Sequence, residues 1–209
     1  INGIENWNTE KVADVWDLFY GCGSLTDINL SKWDMSKMSS TGAMYRFCGS
    51  LKIAYLPIQN GIPDNALNGC SSNIDIVWVG ERSSDFNIGV CGHSGFREED
   101  IKELVPKHLA DLTTLGTTAT LTLGEYASYL SIGEILSAQA KGWTIEGDFS
   151  SGGYVVVNAS AELSETNSDI TTVVIELTSS NYTSRIDNVL QYYPKCTDLL
   201  FFDDGSVTS

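Results

Sequence analysis

The sequence is poor in positive charge, proline, histidine and long apolar runs, and each shortage narrows what the chain can be. Over 209 residues, 12 Lys+Arg face 27 Asp+Glu, a formal net charge of −15. Such a surface repels phosphate backbones and anionic bilayers, because nucleic-acid affinity rests mainly on Lys and Arg displacing condensed counterions. Nucleic acid is therefore not an expected partner. No stretch approaches the roughly 18 consecutive apolar residues of a membrane-spanning helix, so membrane insertion of this segment is not expected either. Two histidines leave little material for base catalysis, and five cysteines cannot all pair. Yet 42% of the residues are hydrophobic and only 19% charged. That is enough apolar surface to offset the chain entropy of folding. The N-terminus has no charged-then-apolar leader and opens at Ile1-Asn2-Gly3-Ile4 as if partway through a repeat, so the chain reads as a piece of a longer protein.

The cysteines carry the organisation. Cys22, Cys48, Cys70 and Cys91 are separated by 26, 22 and 21 residues, a structural period rather than a metal knuckle or a disulfide framework. Residues 7–30 laid over 33–56 give seven identities in 24 positions without a gap: Trp7/Trp33, Lys11/Lys37, the four of Cys22–Leu25 with Cys48–Leu51, and Leu30/Leu56. Asn8/Asp34, Val12/Met38, Leu18/Met44 and Phe19/Tyr45 keep their character. A shorter third copy spans 62–72 and leads into the β-branched run Ile74–Val79. Late in the chain, Cys196-Thr197-Asp198-Leu199 repeats the Cys-x-x-Leu step, and Leu199–Phe202 lies about one period after the strand-like Thr172–Leu177.

In the first unit, Val15, Leu18 and Phe19 have the spacing of one face of a short helical turn, Gly21 closes it and Cys22 is expected to enter the interior. Leu25, Ile28 and Leu30 then follow a Leu-x-x-Leu-x-Leu step that predicts a strand with Asp27 and Asn29 pointing outward. One such unit cannot bury its apolar face alone, whereas stacked neighbours make a continuous core.

Asn6–Val12 with Leu18–Leu25, and Leu30–Met38 with Cys48–Leu51, resemble the 26-residue units of BspA-like leucine-rich repeats in bacterial surface proteins and mycoplasma lipoproteins. Residues 58–80 are similar to a shorter unit of that type. Thr118–Gly124 and Ala140–Ile145 resemble a segment that follows such repeats in gut Bacteroidetes proteins. Arg46-Phe47 departs from the pattern, which has Ser-Gly or Tyr-Gly before the cysteine; Asn73 stands where the family has Leu, and Cys91 lacks a following Leu. The register near Ile74–Val79 is open by one residue, which would exchange buried and exposed sets.

Farther on, Glu98–Leu112 reads as a helix with Ile101, Leu104, Leu109 and Leu112 on one face and acidic residues at its positive end, interrupted by Pro106, where it starts or bends. Thr118–Leu123 alternates like a strand. Ser131-Ile132-Gly133-Glu134 is a capping box for a helix from Ile132 to Lys141, with Gly142 ending it and Trp143–Ile145 opening a strand. A Gly/Ser-rich turn follows over 147–153. The fold expected is α/β: a leucine-rich-repeat-like solenoid, with a parallel sheet of short strands on one face and helices or irregular turns on the other. Its parts are repeats at 1–80, degenerate helix–strand repeats at 81–146, and C-terminal repeats with a cap at 147–209, in one continuous array.

Chemically tempting groups have plainer readings. Only Cys91 and His93 are close enough to suggest shared ligation, whereas zinc needs two such pairs, so buried repeat thiols are expected. No Gly-x-Ser-x-Gly elbow accompanies either histidine, and His108 reads as a solvated helix residue. Asp14/Asp17 and Glu98/Glu99/Asp100 read as solvated or helix-end charge; the acidic Gly turn Asp203-Asp204-Gly205 keeps calcium open. Trp7 and Trp33 recur with the period and read as packing between coils. Asp27, Asn29, Ile53 and Tyr55 occupy outward strand positions, continued by Trp78 or by Val77 and Val79 according to register, and form the candidate ligand strip. No catalytic residue, metal or cofactor is expected. The resemblance implies a non-enzymatic recognition or adhesion module, on a bacterial surface or secreted, that binds host protein, matrix or glycan. The alternative is a structural or host-attachment component of a phage virion or other assembly, docked to its other chains.

Overall fold

A computed structural model describes residues 3–149 and three further strands, Tyr154–Val157, Thr172–Leu177 and Asp198–Asp203. Helices and small parallel sheets alternate through it. The strands are β1 (Ile53–Pro57), β2 (Asp75–Val79), β3 (Phe86–Asn87), β4 (Ala119–Gly124), β5 (Trp143–Gly147), β6 (Tyr154–Val157), β7 (Thr172–Leu177) and β8 (Asp198–Asp203), with α1 at Glu98–His108 and α2 at Ile132–Ala140. They form sheets β1-β2, β3-β4-β5 and β6-β7-β8, and every described pairing is parallel. Parallel neighbours need a long return between them, and here each return is a coil of turns or a helix. The late repeat appears as Thr172 paired with Asp198 and Val173 with Leu199.

The first three coils satisfy their backbones by alternation. The amides of Val15, Asp17, Phe19 and Gly21 donate to the carbonyls of Ser40, Gly42, Met44 and Arg46, while those of Leu18, Tyr20 and Cys22 turn back to Val15, Asp17 and Phe19. The pattern recurs one unit on, from Ala43, Tyr45 and Phe47 to Asp64, Ala66 and Asn68, and again from Asn65 and Leu67 to Val90 and Cys91. This corrects the expected helical turn over Val15–Phe19. Asp17, Ala43 and Asn65 have positive φ, as do Gly21, Phe47, Gly69 and Gly92. A left-handed residue every few positions forbids a continuous α-helix and points alternate amides at the next coil. Val15 and Phe19 are buried, but Leu18 is outside. Residues 25–30 form no strand either; a single bond, Lys52 N–H to the Thr26 carbonyl, ties the second coil to this stretch.

Side chains meet carbonyls that the ladders leave over. The Cys48 and Cys70 thiols donate to the Phe19 and Tyr45 carbonyls at 3.0 Å. Cys22, with no described coil beneath it, is exposed rather than interior. The indoles of Trp33, Trp78 and Trp143 donate to the Ile4, Asp100 and Ala110 carbonyls at 2.8–2.9 Å. Trp7 stacks on Trp33 with centroids 6.0 Å apart, and Phe19 on Tyr45 at 5.6 Å, each aromatic meeting its repeat equivalent. Arg82 is buried, and among the described residues no carboxylate hydrogen-bonds to it; its guanidinium donates to the Ile58, Gly61, Ser84 and Asp85 backbone carbonyls. Many acidic and amide side chains close local turns: Asn8, Asp14, Asn29 and Asp34 each accept the amide two residues on. The Asp14 carboxyl is held below the ordinary 3.8 chiefly by the Trp16 amide, and the Asp34 carboxyl by the Ser36 hydroxyl and then the Ser36 amide.

Helix α1 ends two residues beyond Pro106, so the proline neither starts nor divides it. Lys141 reaches back to donate to the Pro106 and Leu109 carbonyls at its C-terminal end. At the other end, Asp100 is buried and accepts from the Arg97 amide and guanidinium, and Arg97 also pairs with Asp75. The Ser131/Glu134 capping box opens α2, and Gly142 follows it at φ 86°. One apolar cluster runs from Ile4 to Phe149 and crosses residue 80 without a break, with Trp78 between Phe86 and Phe96. Gly147 ends β5, and residues 150–153 of the expected Gly/Ser-rich turn, Cys196 and Asp204-Gly205 of the expected acidic turn lie outside the described residues.

Two substitutions test this frame. Gly21 and Gly49 both face open space, but only Gly21 is left-handed. Gly21→Ala is expected to cost about 1 kcal/mol in urea melts, and Gly49→Ala to be neutral or slightly stabilising. Arg82→Met, which strands four carbonyls, is expected to cost at least about 2 kcal/mol in the same measurement.

Candidate functional site

The structure disperses the strip expected from sequence. Asp27 and Asn29 are exposed, and the Asn29 carboxamide oxygen is occupied by the Ser31 amide and hydroxyl. Ile53 is partly exposed. Tyr55 is only 9% exposed and belongs to the apolar cluster, and Trp78 is 3% exposed, so neither is open to a ligand. For Trp78 the reason is register: Leu56 pairs with Trp78 and Ala54 with Ile76, which puts Trp78 on the inner face, whereas Tyr55 pairs with Val77 and is covered despite its outward position. Asp75, Val77 and Val79 take the outward positions. Of the two registers left open by the sequence, the one ending on Val77 and Val79 holds.

A different group is displayed together, on the ribbon of turns. Trp16, Leu18 and Tyr20 alternate along the outer side of the first coil and are 51%, 39% and 49% exposed; Phe47, 45% exposed, continues the group from the second. Two of the rings reach across the neighbouring coil at a glycine: a Cβ on Gly42 would overlap the Trp16 ring, and one on Gly69 would overlap the Phe47 ring. Tyr20 meets Phe47 edge-on at 5.6 Å, and the Arg46 guanidinium lies 5.0 Å over the Phe47 ring. These rings are therefore held by backbone and by each other while keeping about half of their surface in water. The sequence carried a signal for this. Trp16 falls one period before Gly42, a large residue facing none, but attention to identities at equivalent positions passes over such complementary pairs.

The titratable groups near the repeats are quiet. Burial pushes the Cys48 thiol up to about 11 and the Cys91 thiol to about 12. A thiol in that state is neither nucleophile nor ligand at neutral pH. His108 is not simply solvated, since its Nδ1 donates to the Gly80 carbonyl at 2.8 Å and ties the end of α1 to the end of β2. His93 is buried, and burial lowers its pKa. Among the described residues, no group of three His, Cys, Asp or Glu side chains is placed to hold a metal ion, and no helix is long and apolar enough to cross a membrane.

Comparison with known proteins matches one family model, described as a mycoplasma protein of unknown function, DUF285, over residues 1–55. The match covers the two aligned units and fits a repeat surface protein of the mycoplasma type. No curated protein and no solved structure matches the chain.

The thiols give a direct check. Iodoacetamide at pH 8 is expected to label Cys22 in the folded protein and to leave Cys48 and Cys91 unmodified until urea is added, as read by peptide mass spectrometry. Because both buried thiols have pKa values raised above the ordinary 9.0, their protonated forms favour the fold. Their contribution is complete below pH 9 and declines as the pH rises from there towards 12.

Proposed function

We propose that the chain is a non-enzymatic recognition module, a leucine-rich-repeat-like solenoid of the BspA-like kind from a bacterial surface or secreted protein. It binds a protein or glycan of the host or matrix. The observation that carries this reading is the half-exposed group Trp16, Leu18, Tyr20 and Phe47, with Arg46 beside it. Aromatic side chains give large contact area at small entropic cost, and aromatic residues with arginine are the residues over-represented at binding hot spots. The turn ribbon thus replaces the sheet strip as the proposed binding face. A protein partner suits it better than a single sugar plane, since Tyr20 and Phe47 stand edge to face and Leu18 adds an aliphatic knob between aromatic neighbours.

The reading is tested by probing arrays of host proteins, matrix proteins and glycans with the intact chain and with Trp16→Ala/Tyr20→Ala. Saturable binding that falls at least about tenfold in the double variant, with the thermal midpoint of the sheets retained, is the expected result. Binding unchanged in that variant, or recovery of the protein as a stoichiometric component of purified virions, would overturn it.

A further inference from the structure

A cavity of about 390 Å³ opens where the carboxyl ends of β3 and β4 meet the turn that follows β4. It lies in the size range of small-molecule sites, roughly 300–1,000 Å³, and crevices beyond the carboxyl ends of parallel strands are a recurrent place for them. Its floor is apolar, formed by Ile88 and Leu123, and Tyr126 walls it, with its ring braced at 5.5 Å against Phe96. Around the floor stand Asn87, Thr122, Glu125 and His93. His93 is more than nine-tenths buried, and its Nε2 is buried without a hydrogen-bond partner. The residue lines the cavity while the Nε2 atom itself is covered; a buried unmet polar atom is uncommon in folded proteins and sets His93 apart from the other lining groups.

The lining also selects the ligand's charge. No described lysine or arginine lines the cavity, one carboxylate does, and the chain carries a net charge of −15, so phosphates and carboxylates are repelled. The remaining groups act as both donors and acceptors. The Asn87 Oδ1 is taken by the Gly89 amide at 2.9 Å, which leaves its amide hydrogens to donate outward. The Thr122 hydroxyl donates to Glu146 and keeps its lone pairs. Burial lowers the His93 pKa and so favours the neutral imidazole, which adds no positive charge to the lining. A ligand with several hydroxyls and one apolar face matches such a set, with the apolar face on Tyr126 and Leu123.

We infer that this cavity, with Asn87, His93, Thr122 and Glu125 around an apolar floor beside Tyr126, is a binding site for a neutral polyhydroxylated ring, a single unphosphorylated sugar residue. The site is separate from the aromatic ribbon and independent of the reading given to it.

The test uses the full chain and ligand-observed saturation-transfer NMR. The probes are glucose, galactose, mannose and N-acetylglucosamine, with glucose 6-phosphate and choline as charged controls. At least one neutral sugar is expected to bind, with glucose 6-phosphate and choline weaker. Thr122→Val, nearly isosteric, and Asn87→Asp, which keeps the turn-closing oxygen but loses the amide donors, are each expected to weaken that sugar about fivefold to tenfold. Glu125→Gln is expected to change it less than about threefold, because a neutral ligand gains no charge pairing there. Trp16→Ala/Tyr20→Ala, on the ribbon, is expected to leave it unchanged. No binding by any of the four neutral sugars, tighter binding of choline that disappears in Glu125→Gln, or sugar binding that survives both Thr122→Val and Asn87→Asp would each overturn the assignment.

Discussion

The rest of the structure depends on one constraint, the disposal of backbone hydrogen-bonding groups between successive coils. A chain that turns back on itself this often buries peptide groups that no helix satisfies, and a buried carbonyl without a partner is costly. Alternating amides solve half of the problem, one set closing turns within a coil and the next set reaching the following coil. The surplus is met by side chains that bring a donor inward: indoles, thiols and the Arg82 guanidinium. That requirement explains why Trp and Cys mark the repeat. Ala or Val would come close to the volume of Cys48, but neither could donate to the Phe19 carbonyl.

This is also why part of the architecture was legible in the sequence and part was not. Features set by nearest neighbours were plain, namely the Ser131/Glu134 cap, Gly142 after α2 and the β-branched run that became β2, and the repeat itself showed the one-period spacing of β7 and β8. The apolar spacing of Val15, Leu18 and Phe19 was misleading because i, i+3, i+4 spacing fits a helix and a ribbon of turns alike. What separates them is the left-handed backbone at Asp17, a non-glycine residue that sequence gives no reason to place there. Trp78 was ambiguous for a different reason. Strand register is a two-valued choice fixed by pairing with Leu56, and no residue within β2 decides it. The cavity beside His93 draws on residues from 87 to 126. Only the return through α1 brings β4 beside β3, so no local pattern announces the site.

The anionic balance takes on a local meaning as well. Six described side chains, Asn8, Asp14, Asn29, Asp34, Asn87 and Asp111, serve as turn acceptors for the amide two residues on, and Asn8 and Asp34, at equivalent repeat positions, do so in both units. Charge and amide are interchangeable there because the bond uses only the oxygen. Acidity is thus partly a by-product of turn chemistry. Other carboxylates have specific partners, as Asp85 does in accepting the Thr120 amide where β3 is too short to supply a carbonyl.

Phe47 is the point at which frame and surface meet. Its two equivalents before the repeat cysteine, Gly21 and Gly69, adopt the same left-handed backbone without a side chain, whereas a residue with a Cβ incurs about 1–2 kcal/mol in that conformation. The ring offsets part of this by covering Gly69, meeting Tyr20 edge-on and lying under Arg46. Nearly half of it nevertheless remains in water. A glycine would serve the backbone better, and a buried aromatic would serve the core better. A strained, half-exposed aromatic that completes a row begun by Trp16 and Tyr20 fits the demands of an outward contact better than those of the coil that carries it, because strained residues persist where the conformation has a use beyond packing.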